Sequence, residues 1–351
     1  MIRLNMYGWN DRLNQLKQES AYNTLSHGRI AIVHRTCYEV VSDSGLYQCE
    51  LTGNMMYGKS DFELPCTGDW VLFQSFDDSK GIIVGMLPRE RTLYRKKNGT
   101  VAGKQAIASY VDKAFIVQSL DDNFNMRRVE RFMVQILEEN IHPVLILNKA
   151  DLPFDKQDTE EAIRHLTRRM PVFFTSIHHP ETVSRLRDSI SEGETVVFVG
   201  SSGVGKSSLV NALCERSVLL TSDISQSTGK GRHTSTRREM VLMDGSGVLI
   251  DTPGIREFGL TVDNPDSLAE MLEISNYAES CRFKDCTHTN EPGCAVLEAV
   301  AEGSLDIKVY ESYLKLKREA WHFSASEHEK RKKEKSFTKL VEEVKRRKAD
   351  S

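Results

Sequence analysis

At 351 residues the chain is too long for one ordinary domain and suits two or three. A formal net charge of −3 excludes a polycation, so any nucleic-acid surface must be a local patch, while 39% hydrophobic residues suffice for packed cores. No apolar run approaches the ~20 residues needed to span a bilayer. The opening Met1-Ile-Arg-Leu-Asn-Met-Tyr-Gly-Trp9 lacks the apolar core of a signal peptide, so a cytoplasmic protein is expected.

Residues 1–27 read as a polar, helical N-terminal extension. From 28 to 105 come short β-type runs broken by turns: Arg29 to Val33, Tyr38 to Val41, Leu46 to Leu51, Asp69 to Phe73 and Gly81 to Val84. Five strands in so short a span predict a small closed barrel, with an OB-fold as the natural candidate and an SH3-like barrel as the alternative. A basic connector follows, with Arg89, Arg91, Arg95, Lys96, Lys97 and Lys104 against Glu90. Beside the aromatic candidates Trp70, Phe73 and Tyr94, expected to be exposed, such a run suits nucleic-acid contact as well as a merely solvated face.

Between 106 and 262 the pattern changes to apolar strands alternating with helices. Ala114 to Val117, Val144 to Leu147, Val172 to Phe174, Val196 to Val199 and Val248 to Ile250 read as buried strands of a mostly parallel sheet. Arg128 to Glu139 and Lys206 to Cys214 read as helices. Residues 263–351 are helical and charged, and from Lys330 onward ten Lys/Arg stand against four Asp/Glu, a tail of about +6.

Sharp motifs sit just after the strands, where such sheets bind ligands. The first is the phosphate loop Gly200-Ser201-Ser202-Gly203-Val204-Gly205-Lys206-Ser207-Ser208, placed between a β-run and a helical one. Its glycines let backbone N–H groups turn toward phosphates at a helix N-terminus. Lys206 should reach the β/γ-phosphate oxygens, and the Ser207 hydroxyl should ligate Mg²⁺. Asp251-Thr-Pro-Gly254 follows a strand; Asp251 is expected to support Mg²⁺ and the Gly254 N–H to sense the γ-phosphate.

Asn148-Lys149-Ala150-Asp151 sets the base. A carboxylate at 151 accepts from the guanine N1–H and N2 amine. Adenine would present a lone pair to it, a penalty of order 10²-fold or more. The Lys149 stem can cover the base plane, and Thr175-Ser176 after the next strand would support guanine O6. This base reader precedes the phosphate loop, the reverse of ordinary GTP-binding domains. A circularly permuted sheet is implied.

Gly229 to Arg238 is rich in hydroxyls and has the makings of a switch loop, in which Thr234 or Ser235 closes onto Mg²⁺. Many GTPases orient the attacking water with a Gln just after the D-x-x-G glycine. Here that residue is Ile255, so slow intrinsic hydrolysis is expected, with His233 as the candidate catalytic residue beside Lys206.

Cys37, Cys49, Cys66 and Cys214 are scattered and read as small buried residues. Cys281, Cys286 and Cys294 cluster with His288, a full tetrahedral set for one structural Zn²⁺. A closed set argues against a metal-delivery role, because cargo must exchange.

Together these residues resemble the circularly permuted GTPases that depend on the small ribosomal subunit, the RsgA or YjeQ family. Leu64-Pro-Cys-Thr-Gly-Asp-Trp-Val71, Leu87-Pro-Arg89, Phe124-Asn-Met-Arg-Arg-Val-Glu-Arg131, the motif order and the Cys281 to Cys294 signature all match in sequence order. The family's His-Thr-Thr-Thr switch appears as His233-Thr234-Ser235-Thr236, and its A-A-N-V-D as Ala108-Ser-Tyr-Val-Asp112. The departures allow a divergent paralogue. The resemblance implies an OB-fold, a GTPase core and a zinc-binding domain. It also implies slow GTP hydrolysis stimulated by the small subunit, contact with its ribosomal RNA late in maturation, and a cytoplasmic monomer. A GTP-sensing adaptor with little hydrolysis and another partner is the alternative.

Overall fold

The computed structural model describes residues 2–77, 79–96, 104–121, 123–164, 166–167, 169–214, 238–251, 269, 272 and 274–324. The chain forms two compact units, Met1–Gly259 and Leu260–Ser351.

After a 3-10 turn at Leu4–Tyr7 the first unit forms helix α1 (Asp11–Glu19), whose N-cap Asn10 side chain accepts from the Leu13 N–H. Strands β1 (Ser26–Val33), β2 (Tyr38–Ser42) and β3 (Gly45–Leu51) lead through the short helix α2 (Gly53–Met56) to β4 (Trp70–Ser75) and β5 (Lys80–Met86). The five strands follow the order β1-β2-β3-β5-β4, and β4 pairs back onto β1, so the barrel predicted from the sequence is closed. Only the β3–β5 pairing within it is parallel. Alternation sends Ile30, Val40, Tyr47, Cys49, Val71, Phe73 and Ile83 inward to form its core.

That packing corrects one expectation. Trp70 and Phe73 are 1% and 0% exposed, so neither offers a stacking surface. Large side chains that do reach solvent here include Tyr57 and Phe76. The scattered cysteines also divide: Cys49 and Cys66 are buried, whereas Cys37 and Cys214 are only partly covered.

The two Leu-Pro motifs meet in a clasp at the barrel's rim. Asp69 accepts from the Cys66 N–H at 2.7 Å and pairs with Arg89 at 2.7 Å, and Arg89 also donates to the carbonyls of Phe62 and Leu64. The basic connector folds back as a ribbon of β6 (Leu93–Lys96) and β7 (Lys104–Ala108), with Tyr94 stacked on Phe62 at 5.0 Å.

The larger sheet contains β8 (Lys113–Ser119), β9 (His142–Asn148), β10 (Val172–Thr175), β11 (Thr195–Val199), β12 (Glu239–Leu242) and β13 (Val248–Asp251), in the order β10-β9-β8-β11-β13-β12. The first five in that order are parallel, and β12 runs antiparallel beside β13. Helices α3 (Met126–Glu138), α4 (Lys156–Ile163), α5 (Pro180–Asp188) and α6 (Lys206–Cys214) lie between strands in sequence. Phe115, Val117, Ile146, Val196 and Phe198 pack with Val183 and Leu186 of α5 and Leu209 and Leu213 of α6. Burial on both faces explains why these strands read as unbroken apolar runs.

Barrel and sheet are joined rather than merely tethered. Strand β1 pairs with β12 through Ile32 and Glu239, making one continuous eleven-stranded sheet. Arg29, 1% exposed, donates from Nε to the Gly68 carbonyl at 2.9 Å and from Nη1 to the Thr195 hydroxyl at 2.8 Å. It also donates to the carbonyls of Tyr7, Ser109 and Tyr110. Burial pulls its pKa down to about 10, which still leaves it charged at neutral pH.

The described residues of the second unit form α7 (Ser275–Ala278), α8 (Ala295–Glu302) and α9 (Ile307–Ser324). Its core is small, built on Ile274, Val296, Ala299, Val309, Tyr313 and Leu316. Among the described residues no helix is long and apolar enough to cross a membrane.

Candidate nucleotide site and metal centre

The chain leaves β11 into the loop 200–205 and enters α6 at Lys206. Gly200 and Gly205 have φ of 149° and 92°. A Cβ on Gly200 would lie 2.4 Å from the Val117 carbonyl oxygen, and one on Gly205 would lie 2.3 Å from Asn148 Nδ2. Both positions therefore exclude any larger residue. Val204 is fully buried, which anchors the loop to the core, while Ser202 and Gly203 are exposed. Lys206 Nζ donates to the carbonyls of Gly200 at 2.7 Å and Ser201 at 2.6 Å. These bonds hold the ammonium over the loop, and Ser207 and Ser208 are exposed on the first turn of α6.

The residues expected to read the base lie at and just after the C-terminal end of β9 and are wired to that loop. Asn148, 3% exposed, donates from Nδ2 to the Val204 carbonyl at 2.9 Å and accepts at Oδ1 from the Thr175 hydroxyl at 3.0 Å. Thr175 is opposite Asn148 in the β9–β10 register, and the Ala150 N–H donates to the Thr175 carbonyl at 3.0 Å. Ser176 Oγ donates to the Asp151 carboxylate at 2.5 Å. That hydroxyl, with smaller help from His178 and His179, holds the carboxyl below its ordinary range, so Asp151 is an acceptor at neutral pH. Asn148, Asp151, Thr175, Ser176 and the phosphate loop thus form one connected site.

Three residues here received no site role from the sequence, although Arg128 lies within the Phe124–Arg131 match. Asp121 pairs with Lys149 at 2.8 Å, and Lys149 itself has a left-handed φ of 60°. Asn123 Nδ2 donates to Ser201 Oγ at 3.3 Å and to the Ser202 carbonyl at 3.2 Å. Arg128 Nη1 donates to Ser201 Oγ at 2.9 Å and to Asn123 Oδ1 at 3.2 Å. Their signal was positional: all follow the C-terminal end of β8, the strand beside β11.

Asp251 ends β13, half-buried. Ser207 and Asp251 supply the hard oxygen donors that Mg²⁺ prefers. The remaining residues assigned to the site, His233, Thr234, Ser235 and Gly254, lie outside the described residues, as does Ile255.

In the second unit, the ligand atoms of Cys281, Cys286, His288 and Cys294 all lie within 4.8 Å of one another. His288 Nδ1 is 3.6 Å from Cys281 Sγ and 3.5 Å from Cys294 Sγ, and the two sulfurs are 3.9 Å apart. A tetrahedron with bonds of roughly 2.0–2.3 Å has edges of about 3.5–3.8 Å, so Cys281, His288 and Cys294 stand at zinc spacing, and three thiols with an imidazole suit its softness. His288 adopts a left-handed φ of 61°, and its carbonyl accepts from the Tyr310 hydroxyl at 2.7 Å. Glu291 accepts from the N–H groups of Thr287 at 3.0 Å, Thr289 at 3.0 Å and Asn290 at 3.1 Å, fixing the loop that presents the histidine.

The comparisons with known proteins agree with this geometry. A family model described as RsgA GTPase matches residues 86–261. The chain is 75% identical over 347 residues to the Small ribosomal subunit biogenesis GTPase RsgA 1 of Bacteroides thetaiotaomicron, covering 99% of this chain and 98% of that protein. It is 40% identical over 316 residues to the Small ribosomal subunit biogenesis GTPase RsgA of Methanosarcina acetivorans, covering 89% and 84%. Among solved structures, YloQ, described as a circularly permuted GTPase, matches at 26% identity and a TM-score of 0.63, covering 88% of this chain and 99% of that one. The YjeQ structure from Thermotoga maritima shares the fold at 24% identity and a TM-score of 0.63, covering 84% and 98%. The chain belongs to the RsgA GTPase family.

Proposed function

We propose that this protein is a GTPase of small-ribosomal-subunit biogenesis, hydrolysing GTP slowly until the subunit stimulates it. The observation that carries the reading is the Asn148 side chain, hydrogen-bonded to Val204 on one side and Thr175 on the other. It joins a guanine reader and a triphosphate cradle in one site. The names of the curated relatives support the biological role, and they favour it over a GTP-sensing adaptor.

In this reading Asp151 and Ser176 select guanine, and Lys149, Ala150 and Thr175 frame the base. The N–H groups of residues 200–208 and the Lys206 ammonium stabilise phosphate charge. Bound with the nucleotide, Mg²⁺ supplies further neutralisation of the β/γ-phosphates; Ser207 and Asp251, with Thr234 or Ser235, would hold it. Gly254 senses the γ-phosphate, and His233 orients the attacking water in place of a glutamine. One Zn²⁺ on Cys281, Cys286, His288 and Cys294 would tie the helical unit together.

The base-reading strand β9 precedes the phosphate-loop strand β11 in sequence, which supports a circular permutation of the GTPase sheet. The barrel's strand order supports an OB-fold. We assign residues 1–27 to an extension, 28–105 to an RNA-binding barrel, 106–262 to the GTPase, and 263–351 to the zinc-binding region with its basic tail. The protein acts as a cytoplasmic monomer, contacting ribosomal RNA late in subunit maturation under control of its nucleotide.

The test is GTP turnover with and without purified small ribosomal subunits. Stimulation of at least about tenfold is expected; tight GTP binding with no stimulation would instead identify an adaptor.

A further inference from the structure

A phosphate loop works only when its peptide planes face the right way. Each trans peptide points its C=O and N–H in opposite directions. A group that grips a loop carbonyl from outside therefore turns the following N–H inward, toward the phosphates. Asn123 does this to the Ser202 carbonyl at 3.2 Å, which directs the N–H of Gly203 the other way. Gly203 has a φ of 83°, and a methyl group added at its Cα would meet nothing within 4 Å, so its own surroundings do not hold it. Arg128, at the start of α3, holds Asn123 by its Oδ1 and Ser201 by its hydroxyl. These contacts form a brace built from the segment after β8 and the start of α3, and they grip Ser201 Oγ and the Ser202 carbonyl, atoms that the Lys206 bonds leave untouched.

We propose that Arg128 and Asn123 are positioning residues that preset the phosphate loop, acting through Ser201 and Ser202 rather than on the nucleotide itself. The inference rests on the GTPase reading above. Because the brace acts on the loop and not on a particular phosphate, it supports GDP and GTP alike, and so contributes uniform binding rather than transition-state stabilisation. Ser201 is central: its hydroxyl is the one side-chain acceptor shared by both brace residues among the described contacts.

The experiment measures GDP and non-hydrolysable GTP-analogue affinities, with steady-state GTP turnover, for the full-length protein and for Arg128→Ala, Arg128→Lys, Ser201→Ala and the double variant Arg128→Ala/Ser201→Ala. Thermal melts accompany each. Arg128→Ala should weaken both nucleotides by about tenfold, the scale of a lost charge-assisted hydrogen bond, and raise KM similarly while kcat stays within about threefold. Arg128→Lys should recover part of the loss. The double variant should lose less than the sum of the two single losses, because both break the Arg128–Ser201 bond. Unchanged affinity in Arg128→Ala, or additive losses in the double variant, would overturn the brace. A fall in kcat with KM unchanged would also overturn it, by placing Arg128 on the reacting phosphate. If the unsubstituted protein binds neither nucleotide, the GTPase reading itself fails.

Discussion

Asn148 Nδ2 donates to the carbonyl oxygen of Val204 at 2.9 Å, joining two loops that are 56 residues apart in sequence. The bond is buried, and the same side chain accepts from Thr175. Asn148→Ala leaves the Val204 carbonyl and the Thr175 hydroxyl without this partner. A buried group so exposed costs about 1–3 kcal/mol. Nucleotide affinity should fall at least about tenfold with a lowered melting temperature, read by titration and by thermal denaturation. A variant with unaltered affinity would show that the two loops need no such connection.

The metal centre carries a stability prediction. Among its described residues the second unit has a small core, and a core so thin commonly depends on a metal staple. Elemental analysis should find one zinc per chain. Cys294→Ser, or prolonged treatment with a strong chelator, should release it and reduce helicity, because the binding energy of a structural metal is folding energy. Guanine-nucleotide binding should persist, since its described residues belong to Met1–Gly259. Full helicity in metal-free protein would count against the structural role.

The N-terminal segment gives a pH prediction. His27 packs against Trp9 with ring centroids 4.1 Å apart and planes tilted by 35°, and Lys17 Nζ lies 3.1 Å from its Nδ1. Burial first, then the Lys17 charge, lowers its pKa from the ordinary 6.5, partly opposed by Asp43. The folded state therefore prefers neutral His27, and the unfolded chain binds the proton more readily. This contribution is fully present above pH ~6.5 and is lost as pH falls through the lowered folded value. Replacing His27 with Gln should shrink the difference in melting temperature between pH 8 and pH 5. An unchanged difference would assign the pH dependence to other groups.

Much of the site was legible because its chemistry tolerates few residues. Glycine at 200 and 205 is required by a neighbouring carbonyl and amide, so the motif survives as a spelled word. The strands were legible for a different reason: both faces are buried, giving runs such as Val196 to Val199. Trp70 and Phe73 misled because aromatic residues serve a barrel's core and its surface equally well, and composition does not say which. The brace on Ser201 was invisible because Asn123 and Arg128 fit any polar loop and helix start. Arg29 was equally hidden. A buried arginine satisfied almost wholly by backbone carbonyls leaves no partner residue to find in the sequence.

Base selectivity of the residue 151 carboxylate is the decisive measurement. The unsubstituted protein should bind GTP at least about 10²-fold more tightly than ATP. In Asp151→Asn the side chain gains an N–H₂ donor, which suits the C2 carbonyl of xanthine and opposes the N2 amine of guanine. That variant should lose GTP affinity and gain xanthosine triphosphate affinity, with its melting temperature nearly unchanged. Equal binding of ATP and GTP by the unsubstituted protein, or a variant that keeps its guanine preference, would contradict the assignment of this site.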